Sequence, residues 1–510
     1  MYHLRRITIV AVVIGVAILL ATFLPRILNP VPPSKEKQEA DQAWINTSPH
    51  WLDRQACRWF SLCGLLHLKN DPPARPKNKD DGHRHDLRHI LEGDLAALPG
   101  GGKTSNKAQL KGIPDYVLNY APLVHLYSQE FFWPSDIANH IEHVVPDLDK
   151  DAWPLNESQP LTLSNLNDLS VKLGFEHLNS KDDVESRPRW LHSEKNKPAA
   201  FSDENGDNDK KTEDSEPDQL LTDDTTWFEV DRDHPLHRIS DPRKVPQRRP
   251  LARRSPSAPF REQQRLMSQE AQNEQNKPDE SGYSRAPVTL VLVDKGSGIV
   301  DAFWFFFYAY NLGQTVLGTR YGNHVGDWEH CMIRFESGVP RAVFFSEHEG
   351  GQAYAWHAVE KRGNETEIQR PVIYSAVGSH AMYATPGNHP YVLPFGILKD
   401  VTDRGPLWDP AKNLRGYWYD YTIKRDDEGL EPVKENADAP TNWFHYNGTW
   451  GDKLYGLDDV RQWRLFGQYH YVTGPQGPKF KNLGREKVCQ TWRCRIIHSI
   501  AEGKKGSWHS

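Results

Sequence analysis

Residues 286–311, APVTLVLVDKGSGIVDAFWFFFYAYN, constrain the fold more than any other stretch. Two runs of β-branched and aromatic residues flank Lys295-Gly296-Ser297-Gly298. Such runs suit a pleated, buried surface, and a glycine-rich turn between them closes a hairpin. The following residues, DWEHCMIRFESGVPRAVFFSEHEGGQAYAW, continue as short strands between Gly and Pro turns. No sustained helical period competes with them, and no βαβ rhythm appears. The chain is therefore expected to be mainly β: an antiparallel β-sandwich with a few short helices. The main sandwich is expected over residues 286–484, with 113–180 as the first part of the same β-rich domain and 485–510 as a C-terminal tail.

The remaining segments have other compositions. Residues 1–28 begin basic (Arg5, Arg6) and carry an uncharged apolar run from Ile7 to Leu24. At about 1.5 Å per residue, that run nearly spans the ~30 Å hydrocarbon layer of a bilayer. No small-residue cleavage pattern follows it, so the segment reads as a retained signal-anchor, a single transmembrane helix. The arginines favour a cytoplasmic N-terminus and leave the bulk of the chain lumenal, in the vacuole or secretory pathway. Residues 29–112 read as a mostly disordered tether with one short amphipathic helix in CRWFSLCGLLHL. Residues 181–285 join the acidic SDENGDNDKKTEDSEPDQ to the basic, Pro-rich DPRKVPQRRPLARRSPSAPFREQQR. Apolar residues recur there at no period, which predicts a disordered insertion.

A net charge of -6 over 510 residues argues against a nucleic-acid partner. Cys57/Cys63 and Cys489/Cys494 bracket short loops, the spacing of two local disulfides in an oxidising lumen. Cys331, on an expected strand, reads as a small buried residue. Glycosylation sequons at Asn46, Asn156, Asn364 and Asn447 agree with a lumenal glycoprotein.

The candidate chemistry lies in NHVGDWEH, residues 323–330. On a strand, Asp327 and Glu329 share one face, and Trp328 and His330 share the other. Two carboxylates on one face repel unless something positive lies between them. A hard divalent cation, Ca²⁺ or Mg²⁺, answers that, with His324, Asp327 and Glu329 as metal ligands. His348 in SEHEGG and His380 in GSHA are candidate binding residues at strand ends. Neighbouring residues on a strand point apart, so Ser379 gains no base from His380, and no G-x-S-x-G elbow is present. The histidine-rich DGHRHDLRH, residues 81–89, lacks strands around it and would lose much ordering entropy on binding a metal. The bland alternative is that acids and histidines at strand ends only satisfy turns, with Trp328, Trp356 and Trp408 as core.

The order YAPLVHLYSQEFFWPSD, VDAFWFFFYAYNLG, GNHVGDWEH, IYSAVGSHAMYATPGNHPY, LWDP and VTGPQGPKFKN resembles the fungal vacuolar protein sorting-associated protein 62 family. The resemblance implies a role in protein targeting to the vacuole, with vacuolar cargo or sorting proteins as partners. A fainter similarity runs to necrosis-inducing secreted proteins, whose Gly-His-Arg-His-Asp-Trp-Glu heptapeptide lies in a β-sandwich with a divalent-metal site. His324, Asp327, Trp328 and Glu329 match it in order and spacing, while Asn323 and Gly326 depart from it. The rival expectation is a divalent-metal-dependent enzyme or a glycan-binding β-sandwich module.

Overall fold

The computed structural model describes residues 15, 34–70, 110–148, 160–191, 199–200, 276–316, 318–348, 350–363, 368–390, 399–423, 425, 427–490 and 494–501. The expected membrane span lies outside them except for Gly15, as do residues 81–89 and most of the expected insertion. Among the described residues no helix is long and apolar enough to cross a membrane.

Five short α-helices are described: α1 (Lys35–Asn46), α2 (Trp51–Phe60), α3 (Asp115–Asn119), α4 (Ile137–Glu142) and α5 (Leu166–Leu173). The two main sheets use β1 (Leu123–His125), β2 (Val288–Gly296), β3 (Ile299–Asn311), β4 (His324–Glu336), β5 (Val339–Glu347), β6 (Gly350–Ala355) and β7 (Lys361–Arg362). They are completed by β8 (Arg370–Ser375), β9 (Met382–Tyr383), β10 (Leu407–Trp408), β11 (Leu414–Tyr419), β12 (Leu430–Pro432) and β13 (Ile496–Ile497). The larger sheet has eight strands in the order β12-β11-β2-β3-β4-β5-β6-β13. The smaller has five, in the order β7-β8-β1-β10 with β9 on β8.

Turn chemistry sets the centre of the large sheet. Ser297-Gly298 joins β2 to β3 and Ser337-Gly338 joins β4 to β5, and all four residues have positive φ. Two successive positive φ values give a two-residue turn whose twist matches that of its strands. The expected all-antiparallel pairing is corrected at three places: β2/β11, β6/β13 and β1/β8 are parallel pairs. Their partners arrive over long connections, which permit the parallel sense that a tight hairpin forbids.

Strand β3 is buried on both faces, which explains why FWFFFYAY shows no polar alternation. Trp304, Phe306 and Tyr308 pack with Cys331, Ile333 and Phe345 against Val124, Ile373, Met382 and Trp408 of the small sheet. Phe303, Phe305, Phe307 and Trp328 pack the other way, against α4, α5, Trp443 and Trp450. That second covering layer is coil and short helix rather than sheet. Each large side chain so buried contributes roughly 1.5–3 kcal/mol. Trp328 and Trp408 are core, as expected, and Trp356 is half-buried against the same cluster.

Order extends past three expected boundaries. In the tether, α1 and α2 pack through Trp44, Ile45, Cys57 and Cys63 onto Leu457. At the start of the insertion, Val184, Trp190 and Leu191 join Phe132, Tyr310, Leu312 and Tyr471 in a core cluster. In the tail, β13 adds a strand beside β6, and Val488 and Cys489 are buried. In each case a few aromatic or aliphatic anchors hold a segment whose average composition is polar. Both expected disulfides are formed, Cys57–Cys63 and Cys489–Cys494, and Cys331 is free and buried. Of the sequon asparagines, Asn46 and Asn447 are exposed, and Asn156 and Asn364 lie outside the described residues.

Candidate functional site: a carboxylate–histidine cluster between the sheets

The first residues of β4 carry Asp327 and Glu329 on the face that meets the small sheet, alongside Cys331 and Ile333. Trp328 points the other way, as strand alternation requires. His330 follows Trp328 into an aromatic setting beside Phe303, Phe305 and Phe344. Burial there drives its imidazole well below the usual value, so it is neutral. Gly326 lies between, at φ +67°, and a Cβ there would stand 2.3 Å from the Trp450 carbonyl oxygen. Its own carbonyl lies 2.7 Å from His324 Nδ1. Burial keeps the His324 imidazole below its ordinary value, although Asp327 nearby favours its charge.

His380 comes from the turn between β8 and β9 and reaches across to Asp327, with Nδ1 2.9 Å from Oδ2. Its ring stacks on Tyr308 of β3 with centroids 3.7 Å apart, and Nε2 lies 3.2 Å from the Phe132 carbonyl. Glu130 completes this corner. Its Oε1 accepts from the backbone N–H groups of Phe131 and Phe132, and its Oε2 from that of Gly378. Both His380 and Glu130 are almost wholly buried. Polar groups buried this deeply are retained only when hydrogen-bonded, as both are here.

Glu329 faces a like charge. Burial, with Asp327 beside it, raises its carboxyl far above the usual range, so it retains a proton at neutral pH. It is hydrogen-bonded by the Ser346 hydroxyl, which also accepts the His330 backbone N–H at 2.7 Å. Next along β5, burial pushes Glu347 up to about 8. One of its oxygens is buried with no hydrogen-bond partner among the described residues. Asp400 is fully buried and accepts from four groups. His348 Nε2 lies at 2.7 Å, Ser379 Oγ at 2.7 Å, Tyr383 Oη at 2.8 Å and Gln314 Nε2 at 3.0 Å. Burial alone would raise Asp400, but the His348 charge and these donors hold it below the ordinary value. Partial burial opposes charge on His348, whose side chain is 37% exposed, yet the fully buried Asp400 lifts it to about 9.

The five candidates named from the sequence do not form a single ligand shell. Asp327 pairs with His380, Glu329 with Ser346, and His348 with Asp400, while His324 turns to a backbone carbonyl. Among the described residues no group of three His, Cys, Asp or Glu side chains is placed to hold a metal ion. The Ser379 hydroxyl donates to Asp400 rather than to an imidazole, so it lacks an activating base. Glu130, Asp400 and Ser346 were not singled out from sequence. Glu130 carried one signal, an acid set directly before Phe131-Phe132-Trp133. Asp400, in ILKDVTD, carried none.

Sequence similarity extends well beyond this cluster. The pattern of the family described as Vacuolar protein sorting-associated protein 62 matches residues 302–455. A Saccharomyces cerevisiae protein named "Putative vacuolar protein sorting-associated protein TDA6" is 34% identical over 462 residues, 83% of this chain and 80% of that one. Vacuolar protein sorting-associated protein 62 of the same yeast is 31% identical over 454 residues, 84% of this chain and 79% of its own. The chain belongs to the vacuolar protein sorting-associated protein 62 family.

In this family member, the likeness to solved structures is slight. Necrosis and Ethylene inducing Protein 2 from the causal agent of cocoa's Witches Broom disease is 20% identical, covering 21% of this chain and 47% of that one, with a TM-score of 0.16. NLPPya in complex with mannosamine is 16% identical, covering 25% and 51%, with a TM-score of 0.15. At such scores no site or activity carries over. The heptapeptide comparison also meets a physical limit, because the Trp450 carbonyl leaves no room for a side chain at position 326.

Proposed function

We propose that this chain serves protein delivery to the vacuole from the lumenal side of a membrane, as a binding or scaffolding protein. The observation that carries the proposal is the similarity along more than four-fifths of the chain to two yeast proteins bearing that name. The site supports binding over hydrolysis, because the Ser379 hydroxyl beside His380 is committed to a carboxylate. Deleting the gene and following a soluble vacuolar hydrolase tests it. Secretion of the hydrolase precursor is expected, and undisturbed maturation would remove the proposal.

The Asp327–Glu329 pair favours a second reading. Burial, with the Asp327 charge close by, keeps a proton on Glu329, and a hard divalent cation would relieve the repulsion between the two carboxylates. Asp327 and Glu329 would supply the oxygens and His324 a ring nitrogen, with Glu329 released from Ser346. Binding of millimolar Ca²⁺ or Mg²⁺ at pH 8 would then raise the melting temperature by about 5 °C, and Glu329→Gln would abolish the rise. A melting temperature indifferent to both ions would sink this reading.

A further inference from the structure

Helix α2 and the turn after it expose a concentrated apolar surface. Trp51, Leu52, Trp59 and Phe60 on the helix, with Leu65 and Leu66 just beyond, are 45–76% exposed. They make up six of the fifteen large exposed apolar side chains among the described residues, and they lie within sixteen positions of one another. The rest are scattered, except that Phe466, 45% exposed, is tied to this turn by its N–H to the Ser61 carbonyl at 2.9 Å. At 3.6 residues per turn, Trp51, Leu52 and Trp59 fall within an arc of about 100°. Cys57 points the other way, into the small core formed with Trp44, Ile45 and Leu457. The Cys57–Cys63 disulfide and the pairing of Leu62–Cys63 with Arg464–Leu465 make this a rigid platform. Single exposed apolar residues need no explanation, but a contiguous patch marks an interaction surface.

We propose that this patch lies on a lipid bilayer, at the level of the headgroups. Three observations select lipid over a protein partner. The exposed side chains are the tryptophan, phenylalanine and leucine that interfacial helices present to headgroups, while the far side of the helix packs on protein through Cys57. Arg58, exposed at the edge of the patch, supplies a cation where phosphates would lie. Above all, the uncharged apolar run Ile7–Leu24 precedes the patch in sequence. The chain from Leu24 to Lys35 reaches at most about 40 Å, and α1 adds about 18 Å. A membrane entered by that run is therefore always within reach of α2. The patch would fix the β-rich domain in one orientation to the membrane rather than leave it on a loose tether.

The proposal rests on the membrane placement above, and its test separates the two. The full chain is reconstituted into phosphatidylcholine–phosphatidylserine vesicles carrying a diazirine-bearing phospholipid, photolysed, and the labelled peptides are mapped by mass spectrometry. Labelling of both residues 7–24 and residues 51–66 is expected. Labelling of 7–24 alone would overturn the docking of the patch while leaving the anchor intact. Labelling of neither would remove both. A double substitution, Trp51→Gln with Trp59→Gln, should abolish labelling of 51–66 with the melting temperature unchanged, because both side chains are more than 60% exposed. Retained labelling in that variant, or cross-linking of 51–66 to a protein instead of lipid in native membranes, would also overturn it.

Discussion

At the scale of single residues, the cluster sets how stability depends on acidity. Glu347 titrates near 4.5 when unfolded and at about 8 when folded. Between those values the folded chain holds a proton that the unfolded chain has lost, so stability falls as pH rises from about 4.5 to about 8. His348, raised from 6.5 to about 9, adds stability that is complete below 6.5 and lost as pH rises through 9. His140 acts in the other direction. Burial lowers it to about 4, so protonation below 6.5 favours the unfolded chain. A stability maximum on the mildly acidic side of neutrality follows, measurable as melting temperature from pH 4 to pH 9. Glu347→Gln should flatten the decline above the maximum. Stability that climbs steadily from pH 5 to pH 8 would contradict these assignments. The sequence displayed the histidines and acids of NHVGDWEH, SEHEGG and GSHA because strand alternation and turn positions flag them. It did not display their pairing, since Glu130 and Asp400 arrive from 248 and 52 residues away from the groups they hold.

At the scale of elements, β4 depends on a backbone position as much as on its side chains. Gly326 has φ +67° in the first turn of the ladder with β3, and the Trp450 carbonyl and the Gly451–Val325 contact press on it from the covering layer. Gly326→Ala is expected to cost about 2–4 kcal/mol, combining left-handed strain with a clash against backbone. Equilibrium denaturation measures it, and a loss under about 0.5 kcal/mol would mean that the layer yields easily. The hairpin β2–β3 was legible, because a glycine-rich turn between two apolar runs leaves few alternatives, while β4 and β5 were legible only as short strands with a turn between them. The parallel strands β11 and β13 were not, because nothing local in LRGYWY or II names a partner more than a hundred residues away. The amphipathic helix expected in CRWFSLCGLLHL is displaced: the structure runs it from Trp51 to Phe60, so only CRWF of that stretch is helical.

At the scale of the whole molecule, two sheets of different size share one core, and the carboxylate–histidine cluster lies between them. Composition identified the β-rich block and the polar segments around it. It missed how α1, α2, residues 181–191 and the C-terminal strand fasten onto that block, because a handful of buried anchors is diluted by polar neighbours. The large sheet contributes Asp327, and the turn leaving the small sheet contributes His380, so this pair joins the layers directly. Asp327→Asn or His380→Gln alone should destabilise the chain by about 3 kcal/mol, since each leaves a buried partner uncompensated. The decisive measurement is a double-mutant cycle of these two substitutions on the unfolding free energy. A coupling of about 2 kcal/mol or more is expected if the pair ties the sheets together. Single-mutant losses that add to within about 0.3–0.5 kcal/mol would show that the two side chains act independently and that the sheets are held by their apolar faces alone.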